Sequence, residues 1–210
     1  MRTLRYGRTG VLLELDSSAA VTAAYRRLRA ACTGGRLAGV VELVPAARTV
    51  LVSVAIGASP PVERLRELLA DLSTDEEPVT GSEAPMVTLP VRYDGEDLAL
   101  VARTAGCGID DVVRLHSSGE YTVAFCGFAP GFGYLVGLPQ PLRQPRLADS
   151  RPSIPAGSVG VAGEFTGVYP RRSPGGWRLI GRTEQVMFDP SADPPALLTP
   201  GYRVRFEPLV

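Results

Sequence analysis

The only histidine, His116, lies in the run Leu115-His116-Ser117-Ser118. Imidazole is the side chain whose unperturbed pKa lies near neutrality, and hydroxyls beside it can orient a substrate or relay a proton. At a predicted helix end the backbone dipole favours its protonated form. A lone histidine is also an ordinary structural residue, and no G-x-S-x-G elbow supports a Ser-His-Asp triad. Three further segments follow: Gly127-Phe128-Ala129-Pro130-Gly131-Phe132-Gly133-Tyr134-Leu135, Ile154-Pro155-Ala156-Gly157-Ser158-Val159-Gly160, and Thr166-Gly167-Val168-Tyr169-Pro170, the last leading into 173–183. Glycine lets a ligand approach the backbone closely and proline fixes the loop, so such segments can present N–H groups to a carboxylate, phosphate or oxyanion. Phe128, Phe132, Tyr134, Tyr169 and Trp177 could wall the pocket. Tight β-turns and barrel cores are built from the same residues, so both readings stand.

Other chemistries are excluded by residue type. All 22 basic residues are arginine. Without lysine the chain forms no Schiff base, carries no biotinyl or lipoyl group and has no Walker-type phosphate loop. Cys32, Cys107 and Cys126 have no C-x-x-C spacing, and with a single histidine they make a poor zinc set, so no metal site is expected. No G-x-G-x-x-G follows a strand, and acidic residues match basic ones at 22. Neither a nicotinamide site nor a nucleic-acid surface is expected. The first ten residues contain no apolar signal core, and no apolar run approaches the ~18 residues of a membrane span. A cytoplasmic protein without a membrane contact is the expectation.

The elements that would carry these segments fall into two parts. Strands at 3–6 and 11–15 precede a helix capped by Ser17 or Ser18, with Val21, Ala24, Tyr25 and Leu28 on one face. A hairpin at 39–44 and 49–56 follows, then a helix opened by Pro60-Pro61 with Leu65, Leu68, Leu69 and Leu72 at helical spacing. This order suits a small α+β sandwich, assigned to residues 1–82. The polar stretch 73–85 reads as a linker. From 83 to 210 the expected order is a strand at 86–93, helices at 97–105 and 110–116, then short strands separated by Pro and Gly every 8 to 12 residues, a spacing typical of a compact β-barrel.

The ordered set LHSS, GFxPGFxYL, PAGSVG, TGVYP, SPGGWxLIGRT, VMFDP and PGYRVRF resembles the family of bacterial 5-oxoprolinase B subunits. That family is also named allophanate hydrolase subunit 1 or sporulation kinase inhibitor. The resemblance covers the whole chain, most closely after Glu83. It implies an α+β N-terminal domain followed by a mainly-β cyclophilin-like barrel, similar to part of the carboxyltransferase domain of urea carboxylase. It implies two partners, the C and A subunits of 5-oxoprolinase, with which the chain opens 5-oxo-L-proline to L-glutamate using ATP, bound here or shared with a partner. Matching positions make His116 the catalytic candidate. Substrate-binding candidates are Phe128, Pro130, Gly131, Phe132 and Tyr134, the arginines Arg146 and Arg151, and Pro155, Ala156, Gly157 and Ser158. Gly133 replaces a usual proline and Phe165 a common glutamine. The same resemblance leaves two alternatives, a component of an allophanate-type amide hydrolase and an inhibitor that binds a sensor histidine kinase.

Overall fold

The computed structural model describes residues 1–72 and 84–209. The expected linker at 73–85 therefore lies, but for Ala84 and Pro85, outside the described residues. The chain divides into two compact units, Met1–Ser82 and Glu83–Val210.

The first unit is a four-stranded antiparallel sheet of β1 (Arg2–Tyr6), β2 (Gly10–Glu14), β3 (Val40–Pro45) and β4 (Thr49–Val54), in the order β1-β2-β4-β3. Helices α1 (Ser18–Thr33) and α2 (Val62–Leu69) pack with it. Ser17 caps α1 by accepting the Ala20 N–H at 3.1 Å, a contact worth about 1 kcal/mol. Ala20, Val21, Ala24, Leu28 and Ala31 recur at helical spacing and close on Val11, Leu13, Val50 and Val52, the alternate residues of the two central strands.

In the second unit, β5 (Met86–Val91) leads into α3 (Leu98–Ala105) and α4 (Ile109–Ser117). The strands β6 (Tyr121–Cys126), β7 (Gly133–Val136), β8 (Arg151–Ile154), β9 (Ser158–Ala162), β10 (Phe165–Val168), β11 (Ser173–Gly175), β12 (Arg178–Arg182) and β13 (Arg203–Pro208) follow. Six of them join β5 in a seven-stranded sheet of order β12-β9-β10-β7-β6-β13-β5, and β8 pairs separately with β11. The two ends of the sheet meet where Arg92 and Arg182 exchange backbone hydrogen bonds of 2.9 and 2.8 Å. The sheet is thus a nearly closed barrel, with its edges paired rather than left open. The predicted strand at 86–93 ends at Val91 because the chain turns there to make this bridge. Leu89, Tyr121, Val123, Leu135, Val159, Val161, Val204 and Phe206 fill the barrel's core against Val101 and Val112 of the helices. Among the described residues no helix is long and apolar enough to cross a membrane.

Candidate functional site

The loop between β6 and β7 is built from two consecutive turns. Ala129 N–H donates to the Gly127 carbonyl at 2.8 Å, closing a γ-turn on Phe128, whose φ is 68°. That is the strained hand of this turn, in a region that a residue with a Cβ rarely adopts. Phe132 N–H then donates to Ala129 O at 3.0 Å around Pro130 and Gly131, with Gly131 at φ 82°. Proline second and a left-handed glycine third is the signature of a type II turn. As a result the Phe128 ring stands 57% exposed while Phe132 is buried at 2%.

Phe128, Phe132, Tyr134, Tyr169 and Trp177 line a cavity of about 250 Å³, with Arg146, Ser150 and residues 174–176 completing its wall. The rings meet edge to face: Phe132 lies 5.3 Å from both Tyr169 and Trp177, and 5.4 Å from Phe128. Such pairs are worth about 0.5–1.5 kcal/mol beyond their burial, so the wall is preformed. Gly160 of β9 sits directly opposite Gly167 of β10. A Cβ at Gly167 would come within 3.3 Å of the Trp177 indole and one at Gly160 within 3.2 Å of Trp177 Cβ, so both glycines leave room for Trp177. Burial raises the pKa of both Tyr134 and Tyr169, with the nearby charge of Arg146 opposing it. Both phenols therefore stay neutral and can donate an O–H. Arg146 is exposed and, among the described residues, has no carboxylate partner.

Six of the residues singled out in the sequence, Phe128, Phe132, Tyr134, Tyr169, Trp177 and Arg146, thus come together in one cavity. The others do not. Pro130 is exposed on the outside of its turn. Gly131 is buried, and a Cβ on it would stand 2.6 Å from Phe188 Cβ and 2.8 Å from Met187 O. Its role is to let the loop lie on the 187–188 backbone, not to receive a ligand. Ala156 and Gly157 border a different cleft of about 620 Å³, with Arg92, Arg182 and Thr183 among its lining. Gly157, at φ 79°, donates its N–H to Tyr169 O at 2.7 Å and accepts from Thr183 N–H at 2.9 Å. A Cβ there would fall 2.1 Å from Thr183 O, so this glycine is fixed by backbone contact. Pro155 and Ser158 border a shallow third depression of about 230 Å³.

Arg151 lines none of these cavities and is paired within the fold. It reaches Asp97 Oδ1 at 2.8 Å and Glu96 Oε1 at 3.0 Å, while Asp97 Oδ2 accepts the Leu179 N–H at 2.7 Å. Its charge is already spent on tying the start of α3 to β12, where Arg178 also joins Gln144 and, at 3.0 Å, Thr104.

His116 lies in the interior of the barrel. Its ring has 0% exposure and lines none of these cavities. It packs 4.4 Å from Phe206 and 5.4 Å from Tyr121, with Tyr93 Oη 2.8 Å from Nδ1 and Thr166 Oγ1 2.9 Å from Nε2. Burial lowers its pKa to about 3, which overrides the helix dipole and keeps it neutral. Tyr93 and Asp97, which hold this interior together, carried no signal in the sequence, whereas Thr166 stood inside the TGVYP motif. Among the described residues no group of three His, Cys, Asp or Glu side chains could hold a metal ion.

Comparison with known proteins places this architecture. The profile described as "Carboxyltransferase domain, subdomain C and D" matches residues 1–198. The 5-oxoprolinase B subunit of Escherichia coli O157:H7 is 42% identical over 211 residues, covering 96% of this chain and 93% of that protein. The crystal structure of TTHA0988 is 36% identical, with a TM-score of 0.77 over 96% of this chain, although the chain spans only 40% of its length. The urea carboxylase of Kluyveromyces lactis, at 22% identity and a TM-score of 0.72 over 99% of this chain and 22% of its own, shares the fold. The chain belongs to the carboxyltransferase-domain family, subdomains C and D, in the branch of the 5-oxoprolinase B subunits.

Proposed function

We propose that this chain is the B subunit of a cytoplasmic, ATP-dependent 5-oxoprolinase, working with the C and A subunits to open 5-oxo-L-proline to L-glutamate. The observation that carries the reading is the 42% identity to a 5-oxoprolinase B subunit over nearly the full length of both proteins. We read the barrel as the cyclophilin-like fold that this family's motifs imply.

The aromatic cavity suits the substrate. A small lactam ring offers two apolar faces, which Phe132, Tyr169 and Trp177 can enclose, and one carboxylate, which the Arg146 guanidinium can take in a bidentate pair. The phenols of Tyr134 and Tyr169 can donate to the lactam oxygen as negative charge develops on it. The 620 Å³ cleft is larger, but Glu184 lies in its wall and Arg182 is paired with Asp94 at 2.8 Å, which fits an anionic substrate less well.

Opening an unstrained amide needs activation of its carbonyl, and ATP supplies that chemistry. The cavity is too small for a nucleotide as well as the lactam. It also holds no group that titrates near neutrality, because His116 is sealed in the core. This chain therefore holds and polarises the substrate, and a partner protein supplies proton transfer. Alone it is inert.

The deciding measurement is 5-oxoproline-dependent ATP hydrolysis by a mixture of the three proteins, each omitted in turn. Turnover that requires this chain, and that falls with Arg146→Gln in it, is the expected result. Turnover undiminished when this chain is left out would reject the reading.

A further inference from the structure

The unit Met1–Ser82 carries a feature that the aromatic cavity does not use. On the edge strand β1, Thr3 and Arg5 lie opposite Leu13 and Val11, the residues of β2 that pack with the helices. They share that face of the sheet, because side chains alternate along a strand. An edge position facing a helical layer ordinarily carries an apolar side chain that seals the seam. Here it carries a hydroxyl and a guanidinium, and the seam stays open as a cleft of about 420 Å³.

Three arginines line it: Arg5 from β1, Arg8 from the turn after β1, and Arg66 from α2, with the hydroxyls of Thr3 and Ser59. Among the described residues, no acidic and no aromatic residue is in the lining. Among the described residues, the one carboxylate ion-paired with this set is Glu63, 2.7 Å from Arg66 and outside the wall. Arg5 donates Nε–H to Gly7 O at 3.1 Å, which leaves the rest of its fork available. The first turn of α2 starts beside Ser59 and Pro60, with Pro61 as a cap that offers no side-chain acceptor. Like charges gathered in a concave wall repel one another, and an anion relieves that repulsion.

We infer that this cleft binds a polyphosphate group, such as the di- or triphosphate of a nucleotide, through Arg5, Arg8 and Arg66. A single carboxylate has two oxygens, too few for three guanidinium forks and two hydroxyls; a diphosphate or triphosphate has enough acceptors. The cleft is of ligand size. Without an aromatic platform a base cannot stack in it, so recognition rests on the phosphates. The inference stands on this unit alone and does not depend on the 5-oxoprolinase reading.

Calorimetric titration of the full chain with sodium pyrophosphate and with ATP at low ionic strength tests it. Saturable binding of both is expected, with pyrophosphate displacing ATP and added salt weakening each. Arg5→Gln and Arg8→Gln should each lower pyrophosphate affinity by about 10-fold or more, and Arg182→Gln, in the other unit, should leave it unchanged. Arg8 is an exposed turn residue, so its variant decides the question should Arg5→Gln fail to fold. Absence of saturable pyrophosphate binding, equal affinity in Arg8→Gln, or ATP that pyrophosphate does not displace would each overturn it.

Discussion

His116 Nε2 stands 2.9 Å from Thr166 Oγ1, and Thr166 gives its own proton to the Gly160 carbonyl at 3.0 Å. Thr166 can then only accept from the ring, so the imidazole carries its hydrogen on Nε2. Nδ1 is left to accept from Tyr93 O–H at 2.8 Å. Every polar atom of a neutral histidine is thus satisfied inside the barrel, and its backbone carbonyl accepts Tyr121 O–H at 2.8 Å. The ring spans from Tyr93, just beyond β5, to Thr166 on β10, two parts of the barrel wall far apart in sequence.

Acid should weaken the fold through this residue. In the unfolded chain the imidazole takes up a proton below about pH 6.5, whereas in the fold it does so only near 3. Between these values the unfolded state binds the extra proton. Stability therefore rises with pH across the window and is lost as pH falls through it, by about 1.4 kcal/mol per unit from this group. Urea unfolding of the chain at pH 7 and pH 5 should show the loss, and His116→Gln should flatten it. An unchanged slope in His116→Gln would show that other groups carry the acid sensitivity.

Thr166→Val should cost about 1–3 kcal/mol, because the Nε2–H is left buried without an acceptor. Turnover per folded complex should remain near that of the parent protein. A loss of kcat by orders of magnitude at full folding would return His116 to the chemistry.

Gly131→Ala and Gly157→Ala should lower the melting temperature markedly, through positive φ and close contact with Met187 O, Phe188 and Thr183 O. Activity should follow the folded fraction rather than fall ahead of it. Thermal melts run beside turnover of the complex separate the two cases. Selective loss of turnover would restore these glycines to the ligand's path.

Arg146 and Arg151 should part company. Arg151→Gln removes the partner of a mostly buried Asp97 carboxylate, and leaving it uncompensated should cost a few kcal/mol. Arg146→Gln should barely move the melting temperature but should raise KM for 5-oxoproline about 10-fold or more, the loss of a charge-assisted contact. Equal effects of the two variants on KM would contradict the assignment of the cavity.

Trp177 is the single tryptophan and lies in the cavity wall. Its fluorescence should therefore change on titration with 5-oxoproline, in the chain alone or in the reconstituted complex. Phe128→Ala, which removes the exposed ring at the cavity wall, should weaken that response while sparing the fold. A signal that does not respond even in the active three-protein mixture would place the lactam elsewhere.

Local pattern in the sequence determined the elements. Ser17 before a helical run, Pro60-Pro61 before another, and Pro130-Gly131 in a turn each act within a few residues, through capping bonds and fixed φ. The family motifs also marked the loops that carry Phe128, Phe132, Tyr134 and Arg146. Tertiary structure alone decided which marked residues share a cavity. Phe132 and Trp177 meet because β10 and β9 bring two glycines face to face, whereas Pro155 and Ser158 border another part of the surface. Burial decided the rest. A histidine beside two serines reads as a proton carrier until the barrel closes over it. An arginine before PAGSVG reads as an anion contact until Asp97, 54 positions earlier, arrives 2.8 Å away. Desolvation and pairing across such separations depend on how distant segments pack, and that information is absent from any local stretch of the chain.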